Sequence, residues 1–171
     1  MDFFQVLESR RSMRNYAARP VEEEKLQRIL QAVCLAPSAG NLQAFAVYIV
    51  RRLEQRQALV HAAFDQEFIA EAPIVLVFCA EPERSAVKYG ERGATLYALQ
   101  DATIACTYAM LAAKALDLDS VWIGAFDERE VSRLLGLPPG HRPVAMLPIG
   151  YAGKETRPRP RRPLEEWVNE V

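Results

Sequence analysis

Histidine is scarce in this chain, with two residues in 171, and neither His61 nor His141 falls in a spacing that metal ligands require. No G-x-S-x-G surrounds a serine nucleophile, no G-x-G-x-x-G follows a strand-like run, and no G-x-x-x-x-G-K-[ST] is present. Those absences remove the common hydrolase, Rossmann and P-loop readings. The cysteines, Cys34, Cys79 and Cys106, are odd in number, far apart and set in apolar surroundings, so they form neither a disulfide framework nor a zinc site. They read as buried free thiols suited to a reducing cytoplasm. Net charge is −1, which gives no global field towards nucleic acid or an anionic membrane. No uninterrupted apolar run reaches the ~18 residues of a membrane span, and "MDFFQVLESRR" lacks the pattern of a signal peptide.

What is present is ordinary globular material: 50% hydrophobic and 25% charged residues, in a length that suggests one domain over 1–171. Phe3, Phe4 and Leu7 predict a short first helix. In "VEEEKLQRILQAVCLA", Leu26, Ile29, Leu30 and Val33 recur at i, i+3, i+4 and i+7, an amphipathic helix with Glu22–Glu24 in its first turn. "PSAGN" stops it. Strands are expected at 44–50, 73–80, 120–126 and 142–152, the second apolar on both faces and therefore central. Helices are expected at 54–64, at 92–118, where the run is apolar nearly all round, and at 128–136, with Asp127 as cap and Glu130 as its reciprocal partner. Helices alternating with strands argue for a layered α/β or α+β domain.

Four stretches could carry chemistry. "RRSMR" places Arg10, Arg11 and Arg14 around Ser12 at the end of a helix; forked guanidinium donors and a hydroxyl suit a phosphate. A solvated patch paired with Glu22–Glu24 is the alternative. "APSAGNLQ" exposes backbone N–H groups with Ser38, Asn41 and Gln43, able to meet the edge of a planar heterocycle or simply to end a helix. The Gly124–Ala125 pair in "VWIGAFD" allows close backbone approach, or merely ends a strand. "RPRPRR" (157–162) is an extended arm, a phosphate clamp or a basic tail; without interleaved aromatics its nucleic-acid signal is weak. A chain this poor in acid–base groups leaves its chemistry to a bound cofactor.

In this order and spacing, the four stretches resemble the FMN-dependent nitroreductase family over roughly residues 3–168. "RRSMRNY" is similar to that family's R-R-S-x-R-x-[FY], "APSAGNLQAF" to A-P-S-x-x-N-x-Q-P-[WF], "WIGAFD" to its G-F-D-type turn, and "LPIGYA" with "RPRPRRPLEEWV" to its closing strand and arginine tail. The resemblance implies an α+β, three-layer α/β/α fold with a central, mainly antiparallel sheet and an extended C-terminal arm. It implies a homodimer with two shared FMN sites, with NADH or NADPH as donor and a nitroaromatic, quinone or related small molecule as acceptor. The alternative is a flavin- or nucleotide-binding carrier or regulatory module without turnover. By similarity, Arg10, Ser12 and Arg14 hold the ribityl phosphate and the pyrimidine edge, Arg11 assists, and Arg161 closes on the phosphate. Pro37, Ser38, Ala39 and Asn41 come from the partner subunit and line the ring, and Gly124 and Ala125 bring a backbone N–H near flavin N5. The chain departs from the pattern at Ala44, where the family has proline, although Phe45 keeps the aromatic. It also departs in the short span 81–93, which implies an open pocket and, through Gly90 and Gly93, a mobile lid.

Overall fold

A computed structural model describes all 171 residues. The strand β2 (Ile74–Ala80) is buried at every position. Its side chains alternate between two cores, as the period-2 geometry of a strand demands. Ile74, Leu76 and Phe78 pack into one cluster with Leu26, Ile29 and Val33. Val75, Val77 and Cys79 pack into the other with Leu59, Ile69 and Val131. Full burial of such a side chain is worth about 1.5–3 kcal/mol, so this one strand ties both halves together. It pairs antiparallel with β1 (Phe45–Val50) and with β4 (Arg142–Gly150), and β4 pairs antiparallel with the two-residue β3 (Asp119–Ser120). The order is β1-β2-β4-β3.

Helices cover both faces. On the first lie α2 (Glu23–Cys34) and α6 (Ala98–Ala115), whose buried alanines, Ala98, Ala102, Ala105, Ala109 and Ala113, let it sit close to the sheet. On the second lie α3 (Leu53–Ala62), the single turn α4 (Phe68–Glu71) and α7 (Glu128–Leu135). The architecture is the α+β, three-layer arrangement with an antiparallel sheet that the sequence implied. Beyond β4 the chain runs out as an arm, exposed from Ala152 to Val171.

Several expectations are corrected. The strand expected at 120–126 shrinks to two residues plus an isolated bridge in which Ile123 and Met146 exchange N–H···O bonds of 2.9 and 3.0 Å. Beyond Ile123 the chain leaves the sheet, and Gly124 and Ala125 lie exposed. The helix expected from 92 begins at Ala98, after a π-type turn, Gly93–Tyr97. The span 81–93 carries α5 (Pro82–Arg92), which starts with a proline at its first turn and is kinked at Gly90, where φ is 56° and ψ −141°. Gly93 serves packing there, because a Cβ would lie 2.5 Å from the Ser85 carbonyl oxygen. In α1 (Phe3–Ser9), Phe3, Phe4 and Leu7 face outwards and Val6 alone is buried. Asp127 caps α7 by accepting from the N–H groups of Arg129 and Glu130, but Glu130 does not reciprocate; its carboxylate takes Arg133. Cys34 is exposed, while Cys79 and Cys106 are buried. Burial, with Glu81 nearby, pushes the Cys79 thiol up to about 12.

The start of α2 is tied to the end of β4 by a polar knot. Tyr151 donates to Glu22 at 2.6 Å, Lys25 donates to Tyr151 at 3.0 Å and to the Leu116 carbonyl at 2.7 Å, and the Arg19 guanidinium stacks 3.8 Å over the Tyr151 ring. The Tyr151 hydroxyl, helped by a backbone N–H and Arg19, lowers the Glu22 carboxyl from 4.5 to about 2. A carboxyl lowered on folding stabilises the chain above its ordinary value, and that contribution fades as pH falls through the folded value. Wild type therefore melts above Glu22→Gln at pH 6, and the gap closes between about 4.5 and 2 in thermal melts across pH.

Candidate functional site: a cationic cleft at the end of the first helix

After α1 the chain turns extended, and its side chains sort by burial. Met13 and Tyr16 point inwards, 3% and 7% exposed. The Met13 N–H donates to the Ser120 carbonyl at 3.0 Å, and the Tyr16 hydroxyl lies 3.0 and 3.1 Å from the carbonyls of Met13 and Pro148. This buried stitching to β3 and β4 fixes the backbone that carries Arg10, Arg11, Ser12 and Arg14. Those four residues, with Arg161 of the arm, line one open cleft of about 1210 Å³.

The cleft also gathers Lys154, Arg157 and Arg159, so seven cations (Arg10, Arg11, Arg14, Lys154, Arg157, Arg159 and Arg161) face the single carboxylate Glu8. None of the seven joins an ion pair. Glu22 and Glu23, offered by the sequence as compensating charges, are bound elsewhere, to Arg19 and Arg51. Burial and then the charges of Arg161 and Arg11 lower the Arg10 pKa from its ordinary value. Arg11 donates through its Nη1 to the carbonyls of Glu8 and Arg10, at 2.5 and 2.9 Å, at the end of α1. Arg14 reaches over the Phe68 ring at 5.8 Å. An uncompensated cluster of this kind suits a dianion, since each hydrogen bond to a charged group is worth about 1.5–3 kcal/mol.

Other expected site residues lie apart from the cleft within one chain. Pro37, Ser38, Ala39 and Asn41 belong to a loop holding a 3-10 turn, Ala39–Asn41, between α2 and β1. That loop is internally ordered. Ser38 Oγ accepts the Gln43 N–H at 3.0 Å, and the Gln43 side-chain amide donates to the carbonyl and side-chain oxygens of Asn41, each at 2.9 Å. Gly124 is open towards solvent: a Cβ there would meet only Trp122, at ordinary contact distance. Its neighbour Ala125 accepts a hydrogen bond from Gln66 at 3.1 Å.

Two arrangements were not visible in the sequence. Asp101, in the apolar run of α6, is 1% exposed and accepts from the N–H groups of Ala39 and Ala44 at 2.9 and 3.1 Å. The only signal was a lone acid within an apolar helix. His141, read as a turn residue, has its Nδ1 2.7 Å from the Tyr48 hydroxyl and its Nε2 3.5 Å from Glu81. His61 is exposed beside Asp65.

Comparison with known proteins gives the family. The sequence profile of the nitroreductase family matches residues 7–66 and 55–151. A protein named NADH dehydrogenase from Thermus thermophilus is 33% identical over 186 residues, covering 93% of this chain and 91% of its own length. FMN reductase [NAD(P)H] from Bacillus subtilis is 33% identical over 172 residues, 93% of this chain and 69% of its own. Among solved structures, the hypothetical oxidoreductase YcnD from Bacillus subtilis superposes with a TM-score of 0.92 at 32% identity, covering 99% of this chain and 74% of that one. The NADPH:FMN oxidoreductase from Vibrio harveyi complexed with NAD+ gives 0.90 at 28% identity, covering 98% and 76%. The chain belongs to the nitroreductase family.

Unpaired like charges carry a stability cost while no anion is present. Arg10→Gln should therefore raise the melting temperature of the ligand-free protein by about 2–4 °C, the shift that ~1 kcal/mol makes in a chain of this size. Differential scanning fluorimetry at low salt checks this, and the gain should shrink as salt screens the cluster.

Proposed function

We propose that this protein is an FMN-dependent oxidoreductase that takes reducing equivalents from NADH or NADPH and passes them, in ping-pong order, to a nitroaromatic, a quinone or a related small acceptor. The observation that carries the reading is the cleft in which Arg10, Arg14 and Arg161 face no carboxylate partner. Its donor set fits the phosphate dianion of FMN: several guanidinium forks, one ammonium and the Ser12 hydroxyl around one opening. The names of the relatives, FMN reductase and NADPH-flavin oxidoreductase, support the same reading.

Bound FMN supplies the redox chemistry, accepting a hydride equivalent from the nicotinamide and yielding it to the acceptor. The chain's own residues bind, orient and polarise. Arg10, Ser12 and Arg14 hold the phosphate and the pyrimidine edge, and Arg161 closes from the arm. Arg11, which lines the same cleft while its Nη1 donates to the carbonyls of Glu8 and Arg10, assists them. Pro37, Ser38, Ala39 and Asn41 from the partner would line the ring, and the exposed Gly124–Ala125 backbone would offer it an N–H donor, favouring negative charge that develops on the flavin. No side chain acts as general acid or base; neither histidine lies in the cleft, and Cys79 and Cys106 are buried thiols raised by burial.

The active form in this proposal is a homodimer. The arm is exposed along its length, with Leu164, Trp167 and Val168 uncovered, and Phe3, Phe4 and Leu7 of α1 are uncovered too. Apolar side chains left open in this way suit a second copy. No helix is long and apolar enough to cross a membrane, and three unpaired cysteines suit the cytoplasm.

The test is direct. Purified protein should be yellow with oxidised-flavin bands, bleach anaerobically on addition of NADH or NADPH, and recover colour with a quinone. Light scattering should give twice the chain mass, and truncation after Gly153 should lose both the dimer and the flavin. A colourless protein that takes up no FMN would refute the reading.

A further inference from the structure

We infer that Asp101 is a positioning residue: a buried carboxylate that clamps the Ser38–Ala44 loop in its flavin-lining shape before any ligand arrives. The inference rests on the flavin reading above for what the loop touches, but the clamp itself is carried by separate observations.

Asp101 sits on α6 at 1% exposure and forms no ion pair. Carboxylates are almost never fully buried without a partner, because the desolvation penalty is several kcal/mol. Here the partners are two backbone N–H groups, one at each end of the loop. Ala39 donates to Oδ1 at 2.9 Å and Ala44 donates to Oδ2 at 3.1 Å. Each oxygen thus holds one end, and the carboxylate fixes the distance between them.

The loop needs such a restraint. Gly40, Asn41 and Gln43 all have positive φ, at 58°, 58° and 47°. For Asn and Gln this is an uncommon conformation, stored only where surroundings impose it. The internal bonds of Ser38, Asn41 and Gln43 shape the turn; Arg84 of α5 donates to the Leu42 carbonyl in its middle, and Asp101 ties both of its ends to α6. The departure at position 44 belongs to the same device. A proline there, as in the family pattern, has no N–H to give, whereas Ala44 is fully buried and gives its N–H to Asp101. With alanine at this position the carboxylate has a second point of attachment.

Asp101→Asn is the test, since it keeps size but turns one acceptor oxygen into an NH2 that faces a donor. Residue-resolved amide exchange on the full-length apoprotein should show the Ala39 and Ala44 N–H groups exchanging at least about tenfold faster than in wild type, as expected for losing a hydrogen bond to a charged group. The core of α6 should stay unchanged. FMN affinity should fall about tenfold, with a shifted flavin absorption envelope, while affinity for inorganic phosphate, which the arginines alone hold, should stay at the wild-type value. Unchanged exchange at Ala39 and Ala44 would overturn the proposal, as would equal losses for phosphate and FMN. If the variant fails to fold, the wild-type apoprotein still decides. Both amides should be protected without ligand, and exchange at open-loop rates would refute the clamp. Wild type that shows this protection but takes up no FMN would instead refute the flavin reading.

Discussion

Guanidinium groups held together without counter-charge are the constraint around which this molecule is arranged. A chain with a net charge of −1 has carboxylates enough to neutralise Arg10, Arg14 and Arg161, yet it spends them elsewhere: Glu22 on Arg19 and Tyr151, Glu23 on Arg51, Glu128 on Arg142. The repulsion is tolerated because the backbone beneath is pinned by buried contacts. Met13 and Tyr16 anchor the Arg10–Arg14 stretch to β3 and β4, so that part of the cluster is held in place, while Arg161 rides on the exposed arm. Like charges left unpaired cost stability, a cost that functional sites often carry.

The layers exist to hold such edges still. Because β2 is buried on both faces, the sheet is fixed from either side, and the segments that reach its rim inherit that rigidity: residues 10–16 beside β3, the loop 38–44 before β1, and the turn 124–125 after the Ile123 bridge. Each leaves the sheet with polar backbone exposed, and each is braced from below. Tyr16 braces the first, Asp101 the second and Gln66 the third. The cleft and the loop do not meet within one chain.

Much of this was legible from sequence, and what was not follows a pattern. Continuous apolar character identified β2 as central, and the i, i+3, i+4 rhythm located α2 with Leu26, Ile29 and Val33 inside. The arginines around Ser12 were legible as a cluster because they are adjacent in the chain; Lys154, Arg157 and Arg159 join them only through the path of the arm. Periodicity reports that residues share a face but not what covers it, so Phe3, Phe4 and Leu7 were readable as a stripe while their exposure was not. The same limit misplaced Cys34. Strand length failed at 120–126 because pairing ends where β4 and Ile123 part, a tertiary fact. Gly93 lets α5 and the following turn pack closely, while Gly90 kinks α5 with a positive φ. Asp101 showed only as a lone acid in an apolar helix, because its partners are main-chain N–H groups, which no side-chain pattern can signal.

The most direct test of the central claim compares FMN with riboflavin, which carries the same ring and ribityl chain but no phosphate. If the arginine cleft grips the phosphate, calorimetric titration of the apoprotein will show FMN binding at least about a hundredfold more tightly, as two or more charge-assisted hydrogen bonds require, with the difference narrowing as salt rises. Equal affinity for the two flavins at low salt would contradict the account.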